Sequence, residues 1–486
     1  MKRSSARERL RPGPILRDAW SWVYDRAALE PIHRFIRGHK IPAEVGRSRK
    51  GWYYIFGQAL VFVFLLQVVT GTALAMHYIP SPDHAWDSLH FLNDEVVWGG
   101  LVRGLHYFGA SAMVILVFVH MSRVFLTGSY KYPREINWIT GVVLFFLTMA
   151  MAFTGQLLRW DEDGVNTVVV AATMAGRFPL LGEPLMELIL AGDSVGGATL
   201  SRFFTFHVII FPLLIFGVMG LHVYLVLRNG ISEPPRAGHP VEKRTYRQWY
   251  EALKEKSGTR YWPDHAWREM VFVVAVFAVV LVPALVFGPK GPGPPPDPSA
   301  VEAVPTPDWF FLWYYALVWY KPPILDELVL VWLPVLLFPA LILLPLLFSQ
   351  GERAPGRRPW AIFAVGSLFL LWAILTVMGA RPYWVPDFGT EPQPQEVMED
   401  APEEAQAGAG TFYERGCQYC HIVLGEGGRY GPELTDAHLR LSPEEMTVRI
   451  LVGIRDMPAY PELTPEEVER ILAYLRWAAE EDGGSR

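Results

Sequence analysis

LHYFGASAMVILVFVH, residues 105–120, is almost wholly apolar, yet His106 and His120 stand at the two ends of its core. The run it belongs to, near 105–126, has the length of a helix that crosses about 30 Å of hydrocarbon at 1.5 Å per residue. Six further apolar runs match it, near 53–79, 136–158, 203–227, 270–287, 327–348 and 360–379. Backbone N–H and C=O groups find no partners in lipid unless the segment pairs them internally, so each run is expected to be a helix. The sequence, 51% hydrophobic over 486 residues, therefore predicts an all-α polytopic bundle of seven spans in a lipid bilayer, with no nucleic-acid partner.

Charge sets the orientation. The first 51 residues carry 13 Lys and Arg, and the loop after the fourth span is also basic, with Arg236, Lys243, Arg244, Arg247, Lys254, Lys256 and Arg260. Loops 80–100 and 288–326 carry few cations. The positive-inside rule then places the N-terminal segment in the cytoplasm and, after seven crossings, the C-terminal part outside. The N-terminal stretch shows no short apolar core with a small-residue cleavage site. Residues 381–486 carry a net charge of −12 and the rest +6. The stretch near 382–408, rich in Pro and Glu, reads as a linker. The expected divisions are a cytoplasmic segment 1–51, a four-helix core 52–235, three more spans in 236–380, a linker 381–408 and a small acidic domain 409–486.

Both cysteines fall in that last domain, in CQYCH, residues 417–421. Two thiols one helical turn apart, followed directly by a histidine, form the attachment signature of c-type haem. Cys417 and Cys420 would make the thioethers and His421 would ligate the iron. A zinc site lacks a second pair, and a redox dithiol gives no reason for the histidine. Of the methionines that follow, Met446 sits in an apolar helical pattern, whereas Met457 lies in RDMPAY, where Pro458 interrupts the helix. Met457 is thus the expected distal ligand. Thr464 and Glu467 form a capping box ahead of a terminal helix.

The histidine pattern recurs. His106 and His120 are 14 residues apart, and His207 and His222, in the fourth span, are 15 apart. Each interval is near four helical turns, so each pair shares a face at two depths. A lone buried histidine is ordinarily a core or relay residue. Two pairs at matching depths point to two stacked b-type haems, the outer held by His106 and His207 and the inner by His120 and His222. Gly57 and Gly71, and Gly141 and Gly155, are also 14 apart. Small residues commonly mean close helix packing, but this spacing matches side-chain-free patches for two macrocycles. Arg103, Arg123 and Arg202 lie near the histidines and fit either pairing with haem propionates or snorkelling to lipid headgroups.

These residues resemble the cytochrome b of quinol:cytochrome c oxidoreductases of the bc and bf type. The resemblance rests on RGLHYFGAS at 103–111, HMSRVFLTGSYKYPRE at 120–135, ATLSRFFTFH at 198–207 and the glycine pairs. The 15-residue interval and LRWD at 158–161 are similar to the plastid-type branch. PDWF, formed by Pro307, Asp308, Trp309 and Phe310, stands where the family has a PEWY-type motif at its quinol-oxidation site. Asp308 places the carboxylate one methylene further back. Ile55 occupies the place of the cysteine that holds an extra covalent haem in plastid-type relatives, so none is expected.

The resemblance implies a subunit of a bacterial bc-type complex in the cell membrane. Quinol would be oxidised near the outer haem, one electron leaving to a Rieske iron–sulfur protein and the other crossing to a quinone near the cytoplasmic face. The Rieske protein would be a separate subunit, because the chain has no Cys/His set for a cluster. The fused c-type haem would pass electrons to a cytochrome c or a terminal oxidase. A homodimer follows from the resemblance alone. Arg228 and Asp264 are weak candidates for the quinone-reduction site. A dihaem anchor linking a dehydrogenase to the quinone pool explains the histidines but neither PDWF nor the fused domain.

Overall fold

The computed structural model describes residues 38–486 apart from 193, 297–305, 381–391, 429–430, 455–456, 458 and 485–486, together with scattered positions between 22 and 30. Most of the N-terminal segment and the first part of the linker, with Pro458, lie outside the described residues. Seven helices are long and apolar enough to cross a membrane. They are α1 (Phe56–Ala75), α2 (Gly99–Leu126), α3 (Glu135–Leu157), α4 (Gly197–Asn229), α5 (Ala266–Val286), α6 (Leu328–Leu347) and α7 (Pro359–Gly379). The seven apolar runs of the sequence thus become seven helices, each starting within a few residues of the expected place. The protein is a multi-pass membrane protein.

Helix α1 packs against α2, α3 against α4, α5 against both α1 and α2, and α6 against α3. Close pairing of α1 with α2 and of α3 with α4 is what aligns glycines on one helix with histidines on the next. Within α4, residues Phe206–Ile210 form a π-helical turn that contains His207. Such a turn takes up an extra residue. Fifteen residues from His207 to His222 therefore cover nearly the same rise as fourteen from His106 to His120.

At one end of the bundle the connections converge. Arg103 donates to Asn93 Oδ1 at 3.0 Å and to the carbonyls of Lys290, at 2.8 Å, and Gly291. Trp86 Nε1 reaches Gly293 O at 2.8 Å, and Gly293 N donates to Asp161 Oδ2 at 2.9 Å. Asp161 also caps the helix Glu162–Gly176 by accepting from Gly164 N. At the other end cations hold backbone carbonyls: Arg134 Nε donates to Gly230 O at 2.9 Å, Lys131 Nζ to Phe348 O at 2.9 Å and Arg358 Nη1 to Phe125 O at 3.0 Å. Several of these carbonyls are the unpaired ends of helices, which a cation satisfies and neutralises.

The C-terminal domain is built from α8 (Glu403–Glu414), α9 (Cys417–Cys420), α10 (Pro443–Val452) and α11 (Pro465–Gly484). Its core holds Phe412, Met446, Val468, Ile471, Tyr474, Leu475 and Trp477. Helices α8 and α11 cross at Gly408, where a Cβ would overlap the backbone of Arg470, so no larger residue fits. The capping box is present: Thr464 N donates to Glu467 Oε2 at 2.8 Å and Glu467 N to Thr464 Oγ1 at 3.2 Å. Among the described residues, strand structure is confined to two ladders of two residues per strand.

Candidate functional site

The four membrane histidines line one continuous cavity of about 630 Å³ inside the bundle. Each faces a glycine of the neighbouring helix. A Cβ built on Gly71 would lie 3.0 Å from His106 Cε1, on Gly155 2.6 Å from His207, on Gly141 3.5 Å from His222 and on Gly57 3.6 Å from His120. The glycines line the cavity, as side-chain-free patches would, but their nearest neighbours are the imidazoles. What they permit is the close approach of a ring to the adjacent helix.

Three of the four glycines follow a threonine, a recurrence the spacing argument passed over. Thr70 Oγ1 lies 3.0 Å from His106 Nδ1, Thr140 Oγ1 2.8 Å from His222 Nδ1 and Thr154 Oγ1 3.2 Å from His207 Nδ1. The same hydroxyls donate to carbonyls one turn back, Leu66, Ile136 and Ala150, at 2.7, 3.0 and 2.8 Å. A hydroxyl has one proton, so with that proton committed it accepts from Nδ1–H. The opposite nitrogen, Nε2, is then unprotonated and free to ligate a metal. Phe56 precedes Gly57 and offers His120 no such partner.

The residues present fit b-type haems. The rings of His106 and His207 are 6.2 Å apart between centroids. Two imidazoles sharing one metal at bonds of about 2 Å stand about 6 Å apart by the same measure. Arg123, deep in the bundle, leaves Nε and Nη2 without hydrogen-bond partners and lays its guanidinium 3.8 Å from the centre of the Tyr54 ring. It lines the cavity and is available to an anionic group there. Arg103 also lines the cavity, but the loop contacts above occupy both of its terminal nitrogens. Arg202 is exposed, lies off the cavity, and donates from Nη1 to the carbonyls of Glu187 and Leu188 at 3.3 and 2.7 Å. These carbonyls lie in the last turn of a preceding helix, whose negative end a cation neutralises.

At one end of the cavity lie Asp308, Arg159 and Lys290. Asp308 is 8% exposed; its Oδ1 is 3.1 Å from Arg159 Nη1 and 3.9 Å from Lys290 Nζ, and its N–H donates to Gln156 Oε1 at 3.3 Å. The helix that follows, Leu312–Tyr320, has Phe311 at its N-cap and no side-chain cap bond, so the Asp308 carboxylate is committed to Arg159 instead. Pro307 is buried, Phe310 lines the cavity, and Trp309 Nε1 donates to Ser111 Oγ at 3.1 Å. Just before this segment, Thr306 N donates to Asp163 Oδ1 at 2.8 Å.

The other end is lined by His39, Tyr261 and Glu269, with the Tyr261 hydroxyl donating to Glu269. Neither weak candidate for that end reaches the cavity. Arg228 is exposed on α4, and Asp264 pairs with Arg47 at 3.3 Å. Both were placed by their position at the ends of the fourth and fifth spans, but side-chain direction decides access to the cavity.

In the C-terminal domain, His421 is buried and its Nδ1 lies 2.8 Å from Pro432 O, which again leaves Nε2 unprotonated. Burial pushes the histidine toward its neutral form. Cys417 and Cys420 sit on one helical turn, and burial pushes the Cys417 thiol up to about 11. That is the reverse of the low-pKa thiolate that disulfide exchange requires. A neutral imidazole beside two thiols on one turn fits a covalently held haem. Met446 is 4% exposed inside the core. Met457 is half-buried and joins Ile454 by two backbone hydrogen bonds of 3.0 and 3.2 Å.

Comparisons with known proteins match the membrane part to cytochrome b and the C-terminal part to cytochrome c. The family model "Cytochrome b/b6/petB" matches residues 46–230, and "Cytochrome C oxidase, cbb3-type, subunit III" matches 403–475. The menaquinol:cytochrome c reductase cytochrome b subunit of Geobacillus thermodenitrificans is 39% identical over 224 residues, 45% of this chain and 100% of that protein. Its counterpart from Bacillus subtilis is 40% identical over the same length and shares. Cytochrome b6 of Crocosphaera subtropica is 35% identical over 215 residues, 44% of this chain and 95% of its own. A chain of a hyperthermophilic respiratory Complex III superposes with a TM-score of 0.62 at 26% identity, covering 74% of this chain and 91% of its own. With four glycine-backed histidines inside seven spans and a CQYCH domain behind them, the chain belongs to the cytochrome b/b6 family and carries a C-terminal cytochrome c domain.

Proposed function

We propose that the protein is the cytochrome b/c subunit of a bacterial bc-type quinol:cytochrome c oxidoreductase. The observation that carries this reading is the single cavity, which joins four histidines to a buried carboxylate at one end and to Tyr261 and Glu269 at the other. Bound at these residues, two b-type haems and one c-type haem would supply one-electron transfer across the membrane and outward to an acceptor. His106 with His207, and His120 with His222, hold the first two; Cys417, Cys420, His421 and Met457 hold the third. Asp308 accepts a proton from quinol at the outer end. Tyr261 and Glu269 stand where a quinone at the cytoplasmic end would need a proton. A separate Rieske iron–sulfur protein takes the first electron, and a cytochrome c or terminal oxidase receives the output. The basic cytoplasmic loops support this orientation in the cell membrane, with the acidic cytochrome c domain outside.

Asp308→Asn tests the reading. A positioned base contributes about 10²–10⁴-fold to a proton-transfer rate, and an amide cannot take the proton. Quinol oxidation is expected to slow by at least the lower of these factors, with haem content unchanged, and Asp308→Glu should keep much of the activity. Unimpaired turnover in the Asn variant would move the proton acceptor elsewhere. The dihaem-anchor alternative predicts no effect of Asp308 on a dehydrogenase-linked activity.

A further inference from the structure

The sequence singled out Asp308 and left Arg159, in LRWD, without a role. Arg159 reaches two carboxylates at once, with Nη1 3.1 Å from Asp308 Oδ1 and Nε 3.1 Å from Asp161 Oδ2. Asp161 cannot move toward the cavity, because its own oxygens hold Gly164 N and Gly293 N. The guanidinium is therefore anchored from behind. Its side chain is 9% exposed, it lines the cavity beside Asp308, and Nε and Nη2 are both buried without a hydrogen bond, Nε having only its ion pair with Asp161 and Nη2 no partner at all. A buried, unsatisfied cationic donor is costly to keep. Its place at the cavity wall points to a ligand atom that completes it.

We propose that Arg159 is the second working group of the outer quinol site, fixing Asp308 with Nη1 and donating from Nη2 to the substrate oxygen that gives up its proton. The inference rests on the reading of Asp308 as proton acceptor. In the step concerned, a quinol O–H bond breaks, an O–H bond forms on the Asp308 carboxylate, and the electron pair of the broken bond stays on the substrate oxygen. No oxidant is needed until the iron–sulfur partner takes an electron. Asp308 loses its charge as the substrate oxygen gains one, so the guanidinium exchanges one anion for another and the charge inside the site is unchanged. Lys290, 3.9 Å from Asp308, is half-exposed and gives a second, weaker counter-charge. Arg103 is held by the loop carbonyls and cannot substitute. Only a forked guanidinium bridges both positions, which an ammonium cannot do.

The test uses the intact complex, with kcat, KM and haem content measured for each variant. Arg159→Gln is expected to lower kcat about 100-fold, the effect of deleting one donor to a developing oxyanion, with KM little changed. Arg159→Lys should recover part of that loss. The double variant with Asp308→Asn should be no slower than Asp308→Asn alone, since the donor acts only as the proton leaves. Wild-type kcat in Arg159→Gln beside a slow Asp308→Asn overturns this inference and leaves the role of Asp308 standing. A fast Asp308→Asn removes the role of Asp308 itself. Should Arg159→Gln lose haem, Arg159→Lys decides: wild-type kcat there overturns the proposal, as does a double variant that shows both losses in full.

Discussion

A threonine next to a glycine decides how each of three histidines can act. Thr70, Thr140 and Thr154 fix Nδ1–H of His106, His222 and His207, and the adjoining glycines let the rings sit against the helix. Partners of this kind commonly contribute 10–100-fold to metal affinity. Thr154→Val keeps the shape and removes the acceptor, so outer b-haem retention is expected to fall by about that range, read as haem b per chain after washing. Full retention, with an unshifted haem potential, would reduce the hydroxyl to a bond with its own helix carbonyl. The histidines were legible because four turns of helix bring matching side chains to one face. The threonines were not, because threonine in a membrane helix ordinarily bonds back to its own chain; only the threefold Thr-Gly recurrence carried a signal. Nearness in sequence to His207 does not set direction either: Arg202 turns to the end of a preceding helix.

Helices and loops were legible to different degrees. The seven spans follow from hydropathy alone, since lipid admits hardly any other backbone. The π-helical turn in α4 does not, and the 15-residue interval was the one trace of it. The convergence of Arg103, Asp161, Gly293 and Thr306 around Asp308 depends on contacts between segments up to two hundred residues apart, which no local pattern encodes. In the cytochrome c domain the choice between two methionines rests on element type. Met446 lies on α10 and is packed into the core, whereas Met457 lies beyond α10, pairs with Ile454 in a β-bridge and is only half-buried. Met457→Ala should leave the haem covalently attached while lowering its reduction potential, because Met–His ligation raises it. The long-wavelength sulfur–iron band should vanish. Its loss in Met446→Ala instead, with Met457→Ala unchanged, would reverse the assignment; core damage alone in Met446→Ala would show as a lower melting temperature with the band intact.

Over the whole molecule, one chain combines a seven-span cytochrome b bundle with a cytochrome c domain, and on the proposed function the first would carry charge across the membrane and the second would carry it away. The cavity opens toward Asp308 at one end and Glu269 at the other, so proton release and proton uptake would fall on opposite sides of the bilayer. That separation requires two carriers in the bundle, because a single one would have to span both ends. It also requires the bundle to be distinct from the high-potential exit at CQYCH. The count is testable. Four membrane histidines and one CQYCH imply two b-type haems and one c-type haem per chain, so pyridine haemochrome spectra of the purified protein should give b to c as two to one. After acid–acetone extraction, which removes non-covalent haem, the c-type haem alone should remain with the polypeptide. A one-to-one ratio would mean that one histidine pair serves some purpose other than ligation. The pair lacking a threonine on His120 is then the one to examine first, and Thr140→Val would show whether the inner site holds haem at all: loss of haem b confirms it, and an unchanged one-to-one ratio leaves the outer pair as the sole carrier.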